Sequence, residues 1–149
     1  MTEMTLIGID TGTHTGVAVW SSTAGQFLAV ETLPIHRAMR AVLEWKEKTG
    51  GDLRVYFEDA RLRKWFGRAS VEKLQGAGSV KRDCTIWEDF LRDEGIDFRA
   101  VAPKNNVTKV SAAWFAKMTG WTGRCSEHAR DAAMLVFLRR GTESGPSAI

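Results

Sequence analysis

At 149 residues, with 44% apolar and 26% charged side chains, the chain has the size and composition of one soluble globular domain. No apolar run approaches the length of a membrane span, and no basic-then-apolar leader opens the sequence, so a cytoplasmic protein is expected. The two cysteines, Cys84 and Cys125, lack metal-ligand spacing, which argues against zinc and for reduced thiols. The net charge of +3 decides little by itself.

In chain order, residues 4–10 read as a buried strand ending in Asp10, and residues 16–21 as its hairpin partner. The two are joined through Thr11–Thr15, with Gly12 and Gly16 as punctuation. Gly25 marks a second turn, and residues 26–32 make a third strand. Pro34 suits the start of a helix whose stripe of Ile35, Met39, Val42, Leu43 and Trp45 runs to about Lys48 and stops at Gly50-Gly51. A fourth strand, Leu53–Phe57, ends in Glu58. An arginine- and aromatic-rich loop follows, then a long helix from about Ser70 to Asp93, in which Ala77, Val80, Cys84, Trp87 and Leu91 step by three and four residues.

Gly76 and Gly78 fall inside that helix at a cost of roughly 1 kcal/mol each against alanine. Either they mark a local kink, or they admit the backbone of a partner helix or of DNA. A fifth strand, Ile96–Val101, ends at Pro103. Residues 107–118 read as a helix with Val107, Val110, Trp114 and Met118 on one side. Ser126 is a candidate N-cap for a last helix through Leu138, apolar all round from Ala132. The tail from Gly141 is small and polar and reads as disordered, leaving residues 1–140 as the domain. The order β-β-β-α-β-α-β-α-α implies an α/β fold, a mixed five-stranded sheet with helices on both faces.

Two strands end in a carboxylate, Asp10 and Glu58. If those strands are parallel neighbours, both groups lie at the sheet edge where sites of open α/β sheets form. In the last helix His128 and Asp131 are three residues apart and face the same way. Asp131 opens an apolar stretch, where a charge is costly unless it is paired or ligates a metal; the plainer alternative is an aspartate answering the helix dipole. Three carboxylates in one pocket raise one another's pKa values and call for a cation, and hard oxygen ligands select Mg²⁺ or Mn²⁺. Two such ions suit in-line hydrolysis of a phosphodiester.

Between Arg61 and Arg82 the basic residues Arg61, Arg63, Lys64, Arg68, Lys73, Lys81 and Arg82 face a single acid, Glu72, with Trp65 and Phe66 among them. Such a stretch suits a phosphate backbone and a stacked base; a solvated basic helix face with two core aromatics is the other reading.

"GIDTGTHTGVAV" near the start, Glu58 after the fourth strand and "EHARDAAM" in the last helix resemble RuvC-type Holliday junction resolvases of the RNase H-like superfamily, with the closest likeness to phage or prophage members. The resemblance spans Leu6 to about Arg139. It implies a four-residue catalytic and metal site of Asp10, Glu58, His128 and Asp131, holding two Mg²⁺ ions, with Mn²⁺ as a substitute. Glu127 is set aside because it sits off the His128–Asp131 face. The resemblance also implies a homodimer cutting opposed strands of branched DNA, as two-fold symmetry allows. The "GAG" of the long helix is a candidate for the dimer interface. "DARLRKWFGRAS" is the loop expected to enter the junction, with Trp65 or Phe66 stacking on an unpaired base. Lys104, Lys109 (placed at a helix start) and Arg124 are expected phosphate contacts, alongside Arg61, Arg63, Lys64, Arg68, Lys81 and Arg82.

"DTGTHTG" alone also fits the phosphate-binding hairpin of sugar-kinase or actin-like ATPases. Those need two domains closing on a nucleotide, and this chain has length for one. A non-catalytic junction- or RNA-binding protein would not need the carboxylates. A nuclease on the same fold acting on another nucleic-acid structure shares the metal chemistry and stays open.

Overall fold

The structure, a computed structural model, describes residues 4–62 and 71–141, with the backbone alone over 71–77. The expected junction-loop residues Arg63, Lys64, Trp65, Phe66 and Arg68, and the tail residues 142–149, lie outside the described residues.

Five strands form one sheet: β1 (Thr5–Asp10), β2 (His14–Ser21), β3 (Gln26–Pro34), β4 (Leu53–Glu58) and β5 (Asp97–Val101), in the order β3-β2-β1-β4-β5. The first three are an antiparallel meander, whereas β1, β4 and β5 run parallel. The meander places β1 centrally and leaves its other edge to β4. The chain crosses from the edge strand β3 to β4, on the far side of β1, through α1 (Ile35–Thr49), which is closed by Gly50 in the left-handed conformation. A second helix, α2 (Val71–Asp93), connects β4 to β5, and α3 (Ala112–Thr119) and α4 (Glu127–Phe137) complete the chain.

Alternation along β1 and β4 divides the core in two. Ile7, Ile9, Val55 and Phe57 point to a layer with Ala38 and Val42 of α1 and Cys84, Trp87 and Leu91 of α2. Leu6 and Tyr56 point to the other layer, filled by α4 from Ala129 to Phe137 with Phe115 of α3. Asp10 and Glu58 continue the alternation on the α4 side. Gly8 and Gly16 let α4 lie directly on the sheet. A Cβ on Gly8 would stand 2.0 Å from the Ala132 carbonyl oxygen, and one on Gly16 would stand 2.0 Å from that of His128.

Two expectations change. Residues 107–111 are not helical: α3 begins at Ala112, where Ser111 Oγ accepts the Trp114 N–H. Val107, Trp114 and Met118 are exposed, and the buried residue of this short helix is Phe115. One turn of contact is all that α3 offers the core, so its apolar stripe does not mark its inner face. Nor do Gly76 and Gly78 interrupt α2, which is continuous through both. Space around Gly78 is open, with no atom of the described residues within 4 Å of where its Cβ would be.

Candidate active site

The parallel pairing of β1 with β4 matches Ile9 to Phe57, so Asp10 and Glu58 come side by side at the carboxyl edge of the two central strands. Above them lies the start of α4, capped by Ser126 Oγ, which accepts the Ala129 N–H at 3.3 Å. A cleft of about 350 Å³ opens there. Asp10, Glu58, His128 and Asp131 all line it, with Thr11, Val80, Thr108, Lys109 and Glu127 around them. The four residues singled out from the sequence therefore share one cleft, although strands and helix bring them from distant parts of the chain.

Each is held differently. Asp10 is 15% exposed, and its Oδ2 lies 3.0 Å from His128 Nδ1. With Asp10 ionised the imidazole donates through Nδ1, which leaves the Nε2 lone pair for another partner. Burial pushes the Asp10 carboxyl up to about 6 against the pull of the His128 hydrogen bond, and the charges of Asp131 and Glu127 add to the rise. Burial also raises Asp131, opposed by the Lys109 backbone N–H, which donates to Asp131 Oδ1 at 2.9 Å. Beneath the strand ends, the buried Cys84 has its Sγ 3.5 Å from Thr11 Oγ1 and 3.6 Å from the Glu58 carbonyl oxygen. That thiol is raised by burial and fastens α2 to both carboxylate-bearing strand ends.

The donor set fits a hard divalent cation in kind: four carboxylates, Glu127 among them, and an imidazole edge one cleft, and burial holds Asp10 well above its ordinary value. Among the described residues, however, no group of three or more His, Cys, Asp or Glu side chains is drawn together closely enough to hold a metal ion as it stands.

The expected DNA contacts divide. Lys109 lines the cleft, but in the irregular segment before α3 rather than at a helix start. It has φ 60°, the one non-glycine residue at positive φ among the described residues. Lys81 and Arg82 are exposed beside the cleft-lining Val80, and Lys104 is exposed beside the cleft-lining Pro103. Arg124 borders a different depression, with Glu31, Thr32 and Ser126. Arg61 is committed elsewhere: its guanidinium donates to both carboxylate oxygens of the buried Asp59 at 2.8 Å and to Glu88. The acids offsetting it lie just outside the stretch whose charge was counted.

Sequence reasoning set aside Glu127, yet it lines the cleft; its spacing of four from Asp131 is the signal that points there. Thr108 and Asn106 had no signal at all. Asn106 Nδ2 donates to the Asp131 carbonyl at 3.1 Å. Gly16, read from the sequence as turn punctuation, lies under the first turn of α4.

No helix among the described residues is long and apolar enough to cross a membrane. No protein-family model matches the chain, and no curated protein matches it in sequence. Among solved structures it is similar to the T. thermophilus RuvC in complex with a Holliday junction substrate. That match has a TM-score of 0.58 and 18% identity, over 95% of this chain and 96% of the other. Sheet order, helix placement and this match together establish an RNase H-like α/β fold of the RuvC type.

Proposed function

We propose that the protein is a metal-dependent, structure-selective endodeoxyribonuclease that cuts four-way DNA junctions by phosphodiester hydrolysis. The observation that carries this reading is the meeting of Asp10, Glu58, His128 and Asp131 in one cleft at the carboxyl edge of β1 and β4. The shared fold with a junction-bound RuvC supports the choice of substrate.

In this reading Asp10, Glu58, Asp131 and the Nε2 edge of His128 hold Mg²⁺. When bound, the metal would acidify an attacking water and offset charge on the leaving 3′ oxygen. The chain's own residues prepare the cleft for it. His128 orients the Asp10 carboxylate, the Lys109 N–H orients that of Asp131, and Cys84 fastens the strand ends beneath. Lys109, Thr11 and Thr108 supply cationic and hydroxyl groups on the walls, suited to a phosphate. A homodimer would present two such clefts to a two-fold junction, and the open face of α2 at Gly78 has room for a partner helix.

The test is cleavage of a four-way junction beside linear duplex, flap and RNA–DNA hybrid, in Mg²⁺ and in Mn²⁺, by the wild type and D10N. Expected is junction cleavage by the wild type alone, with binding retained in D10N. Preferential cutting of the hybrid or flap would assign the chemistry to another nucleic-acid structure. Equal cleavage by D10N would remove the site.

A further inference from the structure

The candidate ligand Asp131 is gripped by a segment that the four-residue site does not include. Residues 105–110 are hydrogen-bonded to α4 and the residues just past it along their length. Arg139 donates to the Asn105 carbonyl at 2.9 Å, Asn106 Nδ2 to the Asp131 carbonyl at 3.1 Å, and Arg130 Nε to the Val110 carbonyl at 2.8 Å. Between these anchors Lys109 takes the left-handed conformation at φ 60°, and its N–H meets Asp131 Oδ1 at 2.9 Å. A lysine there costs about 1 kcal/mol that glycine would not. Strain of this kind persists where the surroundings over-determine it, and it collects at functional sites.

We infer that Lys109 is a positioning residue acting through its backbone: the strained turn aims the Lys109 N–H at Asp131 Oδ1 and so fixes which carboxylate oxygen is left for a cation. Asp131 Oδ2 has no protein hydrogen bond among the described residues. A backbone donor suits this task. It is neutral and does not titrate, and it has no rotamers of its own, so Asp131 holds its orientation before metal or DNA arrives. Groups that orient a metal ligand typically contribute ten- to hundredfold in metal affinity. The inference rests on the proposed metal site, and it assigns to the Lys109 backbone a role separate from any contact its ammonium makes with phosphate.

The experiment is Mn²⁺ binding to the DNA-free full chain by titration calorimetry, with circular dichroism to establish folding. K109G keeps the N–H and relieves the strain, so it should bind Mn²⁺ within about twofold of the wild type. K109P has no N–H and cannot reach positive φ, so its affinity should fall roughly 10- to 100-fold. N106A releases the neighbouring anchor while leaving Lys109 in place. It should weaken binding in the same direction by up to about tenfold, and it decides the matter if K109P does not fold. The inference is overturned if a folded K109P, or N106A in its stead, binds Mn²⁺ like the wild type. It is also overturned if K109G is as weak as K109P, because the side chain would then be responsible. A wild type that binds no Mn²⁺ would overturn the metal site itself.

Discussion

Replacing Asp10 by asparagine should stabilise the metal-free protein while abolishing cleavage. Asp10 is 15% exposed, and its carboxyl is raised from 3.8 to about 6, first by burial and then by Asp131 and Glu127. A group whose folded pKa lies above its unfolded value favours the protonated folded state. Its ionisation therefore opposes folding in full above about pH 6, and the penalty fades as pH falls toward 3.8. The difference of about 2.2 units, at 1.36 kcal/mol per unit, is about 3 kcal/mol held against the fold at pH 8. For a domain of this size that corresponds to a rise in Tm of roughly 6–12 °C in D10N. Thermal unfolding in EDTA at pH 8, 6 and 4 should show a gap that is largest at pH 8 and nearly closed at pH 4. Carboxylates remote from Asp10 titrate alike in both proteins and cancel in the difference, leaving only the coupled Asp131 and Glu127 to add to it. Adding Mg²⁺ should raise the wild type and leave D10N unmoved, because a bound cation compensates the buried Asp10 charge. A D10N protein less stable than the wild type at pH 8 in EDTA, or a gap that does not shrink with acid, would refute this account.

Three further outcomes follow from the packing. G16A places a Cβ 2.0 Å from the His128 carbonyl and must lift the first turn of α4, so denaturant unfolding should show a loss of about 3 kcal/mol together with lost cleavage. If G16A unfolds like the wild type, α4 does not lie on β2 as described. R61A leaves the buried Asp59 carboxylate without its guanidinium and should cost about 3 kcal/mol at pH 7; the double variant with Asp59→Asn should recover most of it. Asp59 is held below its ordinary pKa by Arg61, so the pair stabilises above about pH 4 and the R61A deficit should narrow as acid protonates Asp59 in the wild type. Wild-type stability with weakened DNA binding would instead give Arg61 to DNA. H128A should lose the Asp10 contact and lower Mn²⁺ affinity in calorimetry by at least about tenfold; unchanged affinity would exclude the imidazole from the site.

Much of this protein was legible one segment at a time. The short, mostly apolar runs "LIGID" and "LRVYFE" located β1 and β4 and put a carboxylate at the end of each, because a strand buried on both faces reads as such a run by itself. The Ser126 cap and the all-round apolar run from Ala132 defined α4 for the same local reason. The spacing of His128 and Asp131 gave their common face.

Failures came where a residue's role depends on what lies opposite it. Val107, Trp114 and Met118 carry helical periodicity, but only the tertiary packing decides that α3 buries Phe115 alone. Gly16 reads as a turn residue, yet it is a seat for the His128 carbonyl. Arg61 counts as surface charge until Asp59 and Glu88 are found around it. The left-handed turn at Lys109, which directs an N–H onto Asp131, leaves no trace in the residues beside it, because strain is imposed by anchors in and just past α4, twenty or more residues away. The sequence by itself determined most of the elements and their order, since these follow from local periodicity, and its resemblance to RuvC-type resolvases pointed to the four residues that line the cleft. Only the tertiary structure decided which oxygen each carboxylate offers, and which cations are already spent, since hydrogen bonds and ion pairs are made between segments that the chain keeps far apart.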